Sequence, residues 1–77
     1  MSRLEAGATS GGMELTVNGL SMRTKARDIA GLVAELGLNP LKVAIERNLE
    51  IVPRSLYALT ALGEGDRIEI VHFIGGG

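Results

Sequence analysis

Arg67-Ile68-Glu69-Ile70-Val71-His72-Phe73-Ile74 followed at once by Gly75-Gly76-Gly77 is the stretch on which the reading of the chain turns. The first eight residues are rich in β-branched and aromatic side chains, the composition of a strand. The last three have no side chains, and glycine's backbone freedom suits a run that must thread a narrow channel and bring its main chain against another protein. The free carboxylate of Gly77 is then the one chemical group at the tip. A period of two along the strand puts Ile68 and Ile70 on one face and Val71 and Phe73 on the other, so the second face either meets water unless a partner covers it, or has Val71 or Phe73 folded under a loop or over the sheet edge.

Working outward, 77 residues make one small domain, and the absence of cysteine removes both a disulfide staple and a thiolate nucleophile or metal site. Hydrophobic residues are 45% of the chain but include one Phe, one Tyr and no Trp, so the core must be aliphatic and stacking on nucleic-acid bases has little support. A net charge of -1 gives no electrostatic case for nucleic acid or an anionic membrane. No apolar run reaches the roughly 18 residues of a membrane span and no signal peptide is evident, so the expected location is the cytoplasm.

Residues 1–12 are small and polar without periodicity and read as a disordered leader; Met13 could be an alternative start, or the leader a native extension or a remnant of expression. The folded unit is expected over 13–74, with 75–77 as a flexible tail. Met13, Leu15 and Val17 alternate with Glu14 and Thr16 as a half-buried strand, Asn18-Gly19 is a favoured hairpin turn, and Leu20 to Thr24 runs back. Asp28 stands as N-cap to a helix whose apolar face is Ile29, Leu32, Val33 and Leu36, stopped by Gly37. Gly31 inside that helix points to close packing or to simple tolerance. Asn39-Pro40 starts a short turn; Val43 to Glu46 and Glu50 to Val52 are further strands; Ser55 is a candidate cap for a brief turn through Leu59; and Gly63-Glu64-Gly65-Asp66 turns the chain into the last strand. This order predicts an α+β fold of about five strands in two layers, with one main helix packed on Met13, Leu15, Val17, Val43, Ile45, Ile68 and Ile70.

Met13-Glu14-Leu15-Thr16-Val17-Asn18-Gly19, then Val43-Ala44-Ile45-Glu46-Arg47-Asn48 with Ile51-Val52-Pro53-Arg54-Ser55, then Gly65-Asp66-Arg67-Ile68-Glu69-Ile70-Val71 ahead of the glycines, together resemble the sulfur carrier proteins of thiamine biosynthesis. The resemblance spans Met13 to Gly77. It departs at Leu49, where a glycine is expected after Asn48, and the leader has no counterpart. It implies a ubiquitin-like β-grasp with a mixed sheet whose first and last strands are parallel neighbours. It also implies that the Gly77 carboxylate is adenylated by an E1-like enzyme at the expense of ATP, then becomes a thiocarboxylate. The implied partners are that adenylating enzyme, a sulfur donor such as a cysteine desulfurase, and thiazole synthase.

None of this chemistry asks for an acid, base, metal or bound cofactor in the carrier, which would be a protein co-substrate rather than an enzyme. His72 is the only histidine, and Gly63-Glu64-Gly65 lacks the Lys and Ser or Thr of a phosphate-binding loop. Gly77 is therefore the expected reactive residue, Gly75 and Gly76 its track, and Val71, Phe73 and Ile74 the expected docking patch. Arg54 reads as a surface charge. The alternatives are a carrier for molybdopterin synthesis, a ubiquitin-like modifier conjugated through Gly77, and an interaction domain with an inert tail.

Overall fold

The computed structural model describes residues 11–73. The expectations for the leader up to residue 10, and for Ile74 and Gly75 to Gly77, lie outside the described residues. Strand β1 (Met13–Val17) and strand β2 (Leu20–Thr24) form the predicted hairpin, with φ of 50° at Asn18 and 84° at Gly19. Helix α1 (Ile29–Glu35) follows, then a 3-10 turn (Pro40–Lys42), β3 (Val43–Arg47), β4 (Glu50–Val52), a second 3-10 segment (Arg54–Leu59) and β5 (Arg67–His72). The sheet has five strands in the order β2-β1-β5-β3-β4. The first and last strands are parallel neighbours, with Val17 opposite Ile68, and every other pair is antiparallel.

Local chemistry explains where α1 starts and stops. Asp28 Oδ1 accepts from Gly31 N at 2.7 Å, filling one of the donors a helix start leaves free, and Gly37 takes φ of 73° to end it. Of the two readings for Gly31, close packing holds: an added Cβ would sit 3.3 Å from both Ala26 Cβ and Asp28 Oδ1. Ile29, Leu32 and Val33 go under the helix against Leu15, Val43, Ile45, Ile68 and Ile70, each such side chain contributing about 1.5–3 kcal/mol of burial. Met13, Val17 and Leu36 are only partly buried against this core.

Val52, Tyr57 and Leu62 complete it, and none of the three was assigned to the core by the period-two and period-3.6 patterns. They arrive through loops and the 3-10 segment, whose path is set by pairing such as Leu62 N to Arg27 O at 2.9 Å and Ile29 N to Thr60 O at 3.1 Å. Ser55 corrects the sequence reading. It lies inside the 3-10 segment and is exposed, while Pro53 occupies the cap position with no side-chain hydrogen bond. That turn is closed by backbone instead, Leu56 N donating to Pro53 O at 2.8 Å. Among the described residues no helix is long and apolar enough to cross a membrane.

The β3–β4 turn keeps both residues left-handed despite its leucine, with φ of 52° at Asn48 and 74° at Leu49. A non-glycine residue there costs about 1–2 kcal/mol, partly offset by the greater freedom glycine would have in the unfolded chain. Leu49→Gly is therefore expected to stabilise the domain by roughly 0.5–1 kcal/mol, read as a higher urea midpoint at unchanged slope. An unaltered midpoint would show that Leu49 carries no strain.

Candidate functional site

The strand that leads to the tail is the middle strand of the sheet, and its backbone is held differently on its two sides. Its odd-numbered residues bond to β3: Asn48 N donates to Arg67 O and Phe73 N to Lys42 O, both at 2.8 Å, bracketing the register of Glu46 opposite Glu69 and Ala44 opposite Val71. Its even-numbered residues face β1, where Thr16 N donates to Asp66 O at 2.9 Å and Asn18 N to Ile68 O at 2.8 Å. Beyond that point β1 has turned away into its hairpin. The Asn18 side chain continues the ladder in its place, Oδ1 accepting from Ile70 N at 2.7 Å and Nδ2 donating to Ile70 O at 3.2 Å.

The start of β5 is fixed by Asp66, which is 7% exposed. Its carboxylate accepts from Arg47 Nε and Gly63 N, each at 2.7 Å, and from Asn48 Nδ2 at 3.0 Å. Asn48 Oδ1 in turn accepts from Arg67 N at 2.9 Å. The three motif segments that carried the resemblance thus meet in space, since Arg47-Asn48 and Asp66-Arg67 join one network and Asn18 clamps the same strand further on. Burial alone would raise the Asp66 pKa. The hydrogen bonds from Asn48, Arg47 and Gly63, with the Arg47 charge, outweigh it and hold the carboxyl below its ordinary value.

Alternation along β5 sends Ile68 and Ile70 into the core and leaves Val71 and Phe73 exposed, the first of the two outcomes the sequence allowed. Val71 stands beside Ala44, and across the same face Glu46 lies between Glu69 on one side and exposed Ile51 on the other. Two like charges directly opposite each other do not stabilise a sheet. The root of the tail is thus an open sheet face of apolar side chains edged by carboxylates. A cleft of about 370 Å³ lies elsewhere, between α1 and the second 3-10 segment, lined by apolar residues including Val33, Leu38 and Tyr57. At its edge Arg54 Nε donates to Pro40 O at 3.0 Å, a structural bond for a surface charge. His72 is exposed, and among the described residues no group of three His, Cys, Asp or Glu could hold a metal ion.

Residues 14–77 match the family described as the ThiS family. The chain belongs to the ThiS family. It is 40% identical over 65 residues to the sulfur carrier protein ThiS of Bacillus subtilis, covering 82% of this chain and 98% of that one. It is 52% identical over 66 residues to a thiazole synthase of Paramagnetospirillum magneticum and 46% to one of Magnetococcus marinus, 84% of this chain in both cases. The matched region spans only 20% of the length of each of those two relatives. The crystal structure of the thiamine biosynthesis protein ThiS from Geobacter metallireducens superposes with a TM-score of 0.73 at 30% identity, over 84% of this chain and all of that one. The ubiquitin-like β-grasp expected from the sequence is the fold these ThiS-family relatives share.

Sequence reasoning put Val71 and Phe73 on the face of β5 away from the core, where they are exposed, but gave Asn18 only a turn and Asp66 only a place in a turn cluster. The Arg47-Asn48 and Gly65-Asp66-Arg67 motifs were the available signal, and they did not say that the two touch. Because the Asp66 pKa is lower folded than unfolded, its stabilisation is present above the ordinary carboxyl value of 3.8 and is lost as pH falls from there through the folded value. Asp66→Asn should be less stable than wild type at pH 7, and the gap should narrow as pH drops below 3.8. Thermal unfolding across roughly pH 2–7 checks it: parallel profiles for the two proteins would remove the ionised Asp66 network from the stability of the fold.

Proposed function

We propose that this chain is a sulfur carrier of thiamine biosynthesis whose Gly77 carboxylate is the group that is activated and loaded. The observation that carries the reading is the ThiS-family match running through residue 77, on a domain whose central strand ends at His72, shortly before the glycines in sequence. A carboxylate is a poor electrophile because its charge is delocalised and its leaving group would be an oxide. Activation by an E1-like enzyme joins the Gly77 carboxylate to the AMP of ATP and releases pyrophosphate. The terminal sulfur of a persulfide on a donor such as a cysteine desulfurase then attacks the acyl carbon and AMP departs with the bonding electron pair; a thiol reductant cleaves the S–S bond of the resulting acyl disulfide, is itself oxidised to a disulfide, and leaves the thiocarboxylate on Gly77. Thiazole synthase is the acceptor of that sulfur in the formation of the thiazole ring. The two thiazole synthases that resemble this chain over a fifth of their length support that partner.

In this scheme the carrier supplies recognition and reach, and the partner enzyme supplies catalysis and binds ATP. Gly75 and Gly76 let the partner close over bare main chain. Val71 and Phe73, with Ile74 beyond them, form the docking patch, on the face where Ala44 and Ile51 add apolar surface and Glu46 and Glu69 add charge. An apolar anchor is expected to dominate such a contact. Phe73→Asp should weaken binding to the adenylating enzyme by at least about tenfold while moving the unfolding free energy by no more than about 0.5 kcal/mol. Titration calorimetry and thermal unfolding measure the two quantities, and undiminished binding would take Phe73 out of the patch.

Loading is tested by intact mass after incubation with ATP, a cysteine desulfurase with cysteine, a thiol reductant and the adenylating enzyme. The expected product is heavier by the exchange of one oxygen for one sulfur, localised by fragmentation to Gly77. Recovery of the free carboxylate alone would favour the interaction domain with an inert tail, and an isopeptide to a lysine of another protein would favour the modifier.

A further inference from the structure

We infer that Asn18 is a positioning residue for the tail, acting through the backbone of Ile70; this rests on the carrier reading above. Strand β5 must deliver Gly77 to a partner's active site while Val71 and Phe73 lie on the partner's surface, so its C-terminal end needs one fixed direction. On its β3 side that end is secured down to Phe73. On its β1 side the last paired strand residues are Val17 and Ile68, after which the chain departs through the left-handed Asn18 and Gly19. An edge left open there would let Ile70 to Phe73 peel and swing about the single remaining ladder.

The Asn18 side chain closes that opening because a primary amide carries the donor and the acceptor of a peptide group. It bonds to both Ile70 N, at 2.7 Å, and Ile70 O, at 3.2 Å, reproducing one more step of the parallel ladder while its own backbone makes the turn. Few residues could do both. Aspartate tolerates the turn but has no donor for the Ile70 carbonyl, and glycine fits the turn but reaches nothing. The turn requirement and the clamp requirement are therefore separable by mutation.

Asn18→Gly keeps a hairpin pair able to adopt both positive φ values and deletes the clamp. With the full chain, the adenylating enzyme and ATP, kcat for acyl-adenylate formation should fall by about tenfold or more, since small misplacements of a reacting group are costly, while KM for the carrier stays within about twofold because the docking face is intact. Amide exchange at Ile70 should quicken by about tenfold relative to amides of β3 paired with β4. Asn18→Asp, which retains the acceptor, should fall between the two. A folded Asn18→Gly with wild-type kcat overturns the proposal and leaves the carrier reading standing, as does a fall confined to KM. Absence of any adenylate on the wild-type chain removes the carrier reading and the role of Asn18 with it. Should Asn18→Gly not fold, Asn18→Asp decides by the same two constants, wild-type kcat again being the overturning result.

Discussion

The structure depends on satisfying the backbone of one central strand from both sides. Among the described residues β5 is the last element in sequence and the middle one in the sheet, so its ladder cannot be completed until β1 and β3, from distant parts of the sequence, have been brought to flank it. A buried peptide group without a partner costs far more than a formed hydrogen bond returns, so each place where a flanking strand falls short has to be filled. Here it is filled by side chains. Asn48 accepts from the first amide of β5, Asp66 ties its entry to the β3–β4 turn, and Asn18 stands in for the residue that β1 does not provide.

That arrangement separates stability from recognition by the pleat of a single strand. Ile68 and Ile70 are sealed beneath α1 with Leu32 and Val33, and the residues between them face outward. The outward residues Val71 and Phe73 are not required by the core. Exposed Val71 and Phe73 would be poor choices for solubility alone, and Glu46 directly opposite Glu69 a poor choice for the sheet. Both lie on the face of the sheet opposite the core.

The turns show the same economy of residue types. Asn-Gly between β1 and β2 follows hairpin stereochemistry directly, whereas Asn-Leu between β3 and β4 adopts the same left-handed pair against the preference of leucine. Register explains why. Arg47 opposite Glu50 closes the ladder right at the turn, and Asn48 is bonded through backbone and side chain to Arg67 and Asp66, so the surrounding structure fixes the conformation whichever residue follows.

The sequence by itself determined what is local. The alternation of Met13, Leu15 and Val17, the Asp28 cap, the Gly37 stop and the Asn39-Pro40 turn each depend on a few consecutive residues, and the motif order was sufficient to indicate the β-grasp and the outward face of β5. Ser55 shows the limit of such rules, because a hydroxyl in the right place for a cap is left unused once Pro53 closes the turn through its backbone. Only the tertiary structure decided that Tyr57 and Leu62 are core, that Asp66 is an ionised buried anchor, and that Asn18 clamps the tail-bearing strand. Asn18 and Ile70 are 52 residues apart and Asn48 and Asp66 18 apart, and no periodicity or capping pattern encodes which distant group a side-chain amide will meet.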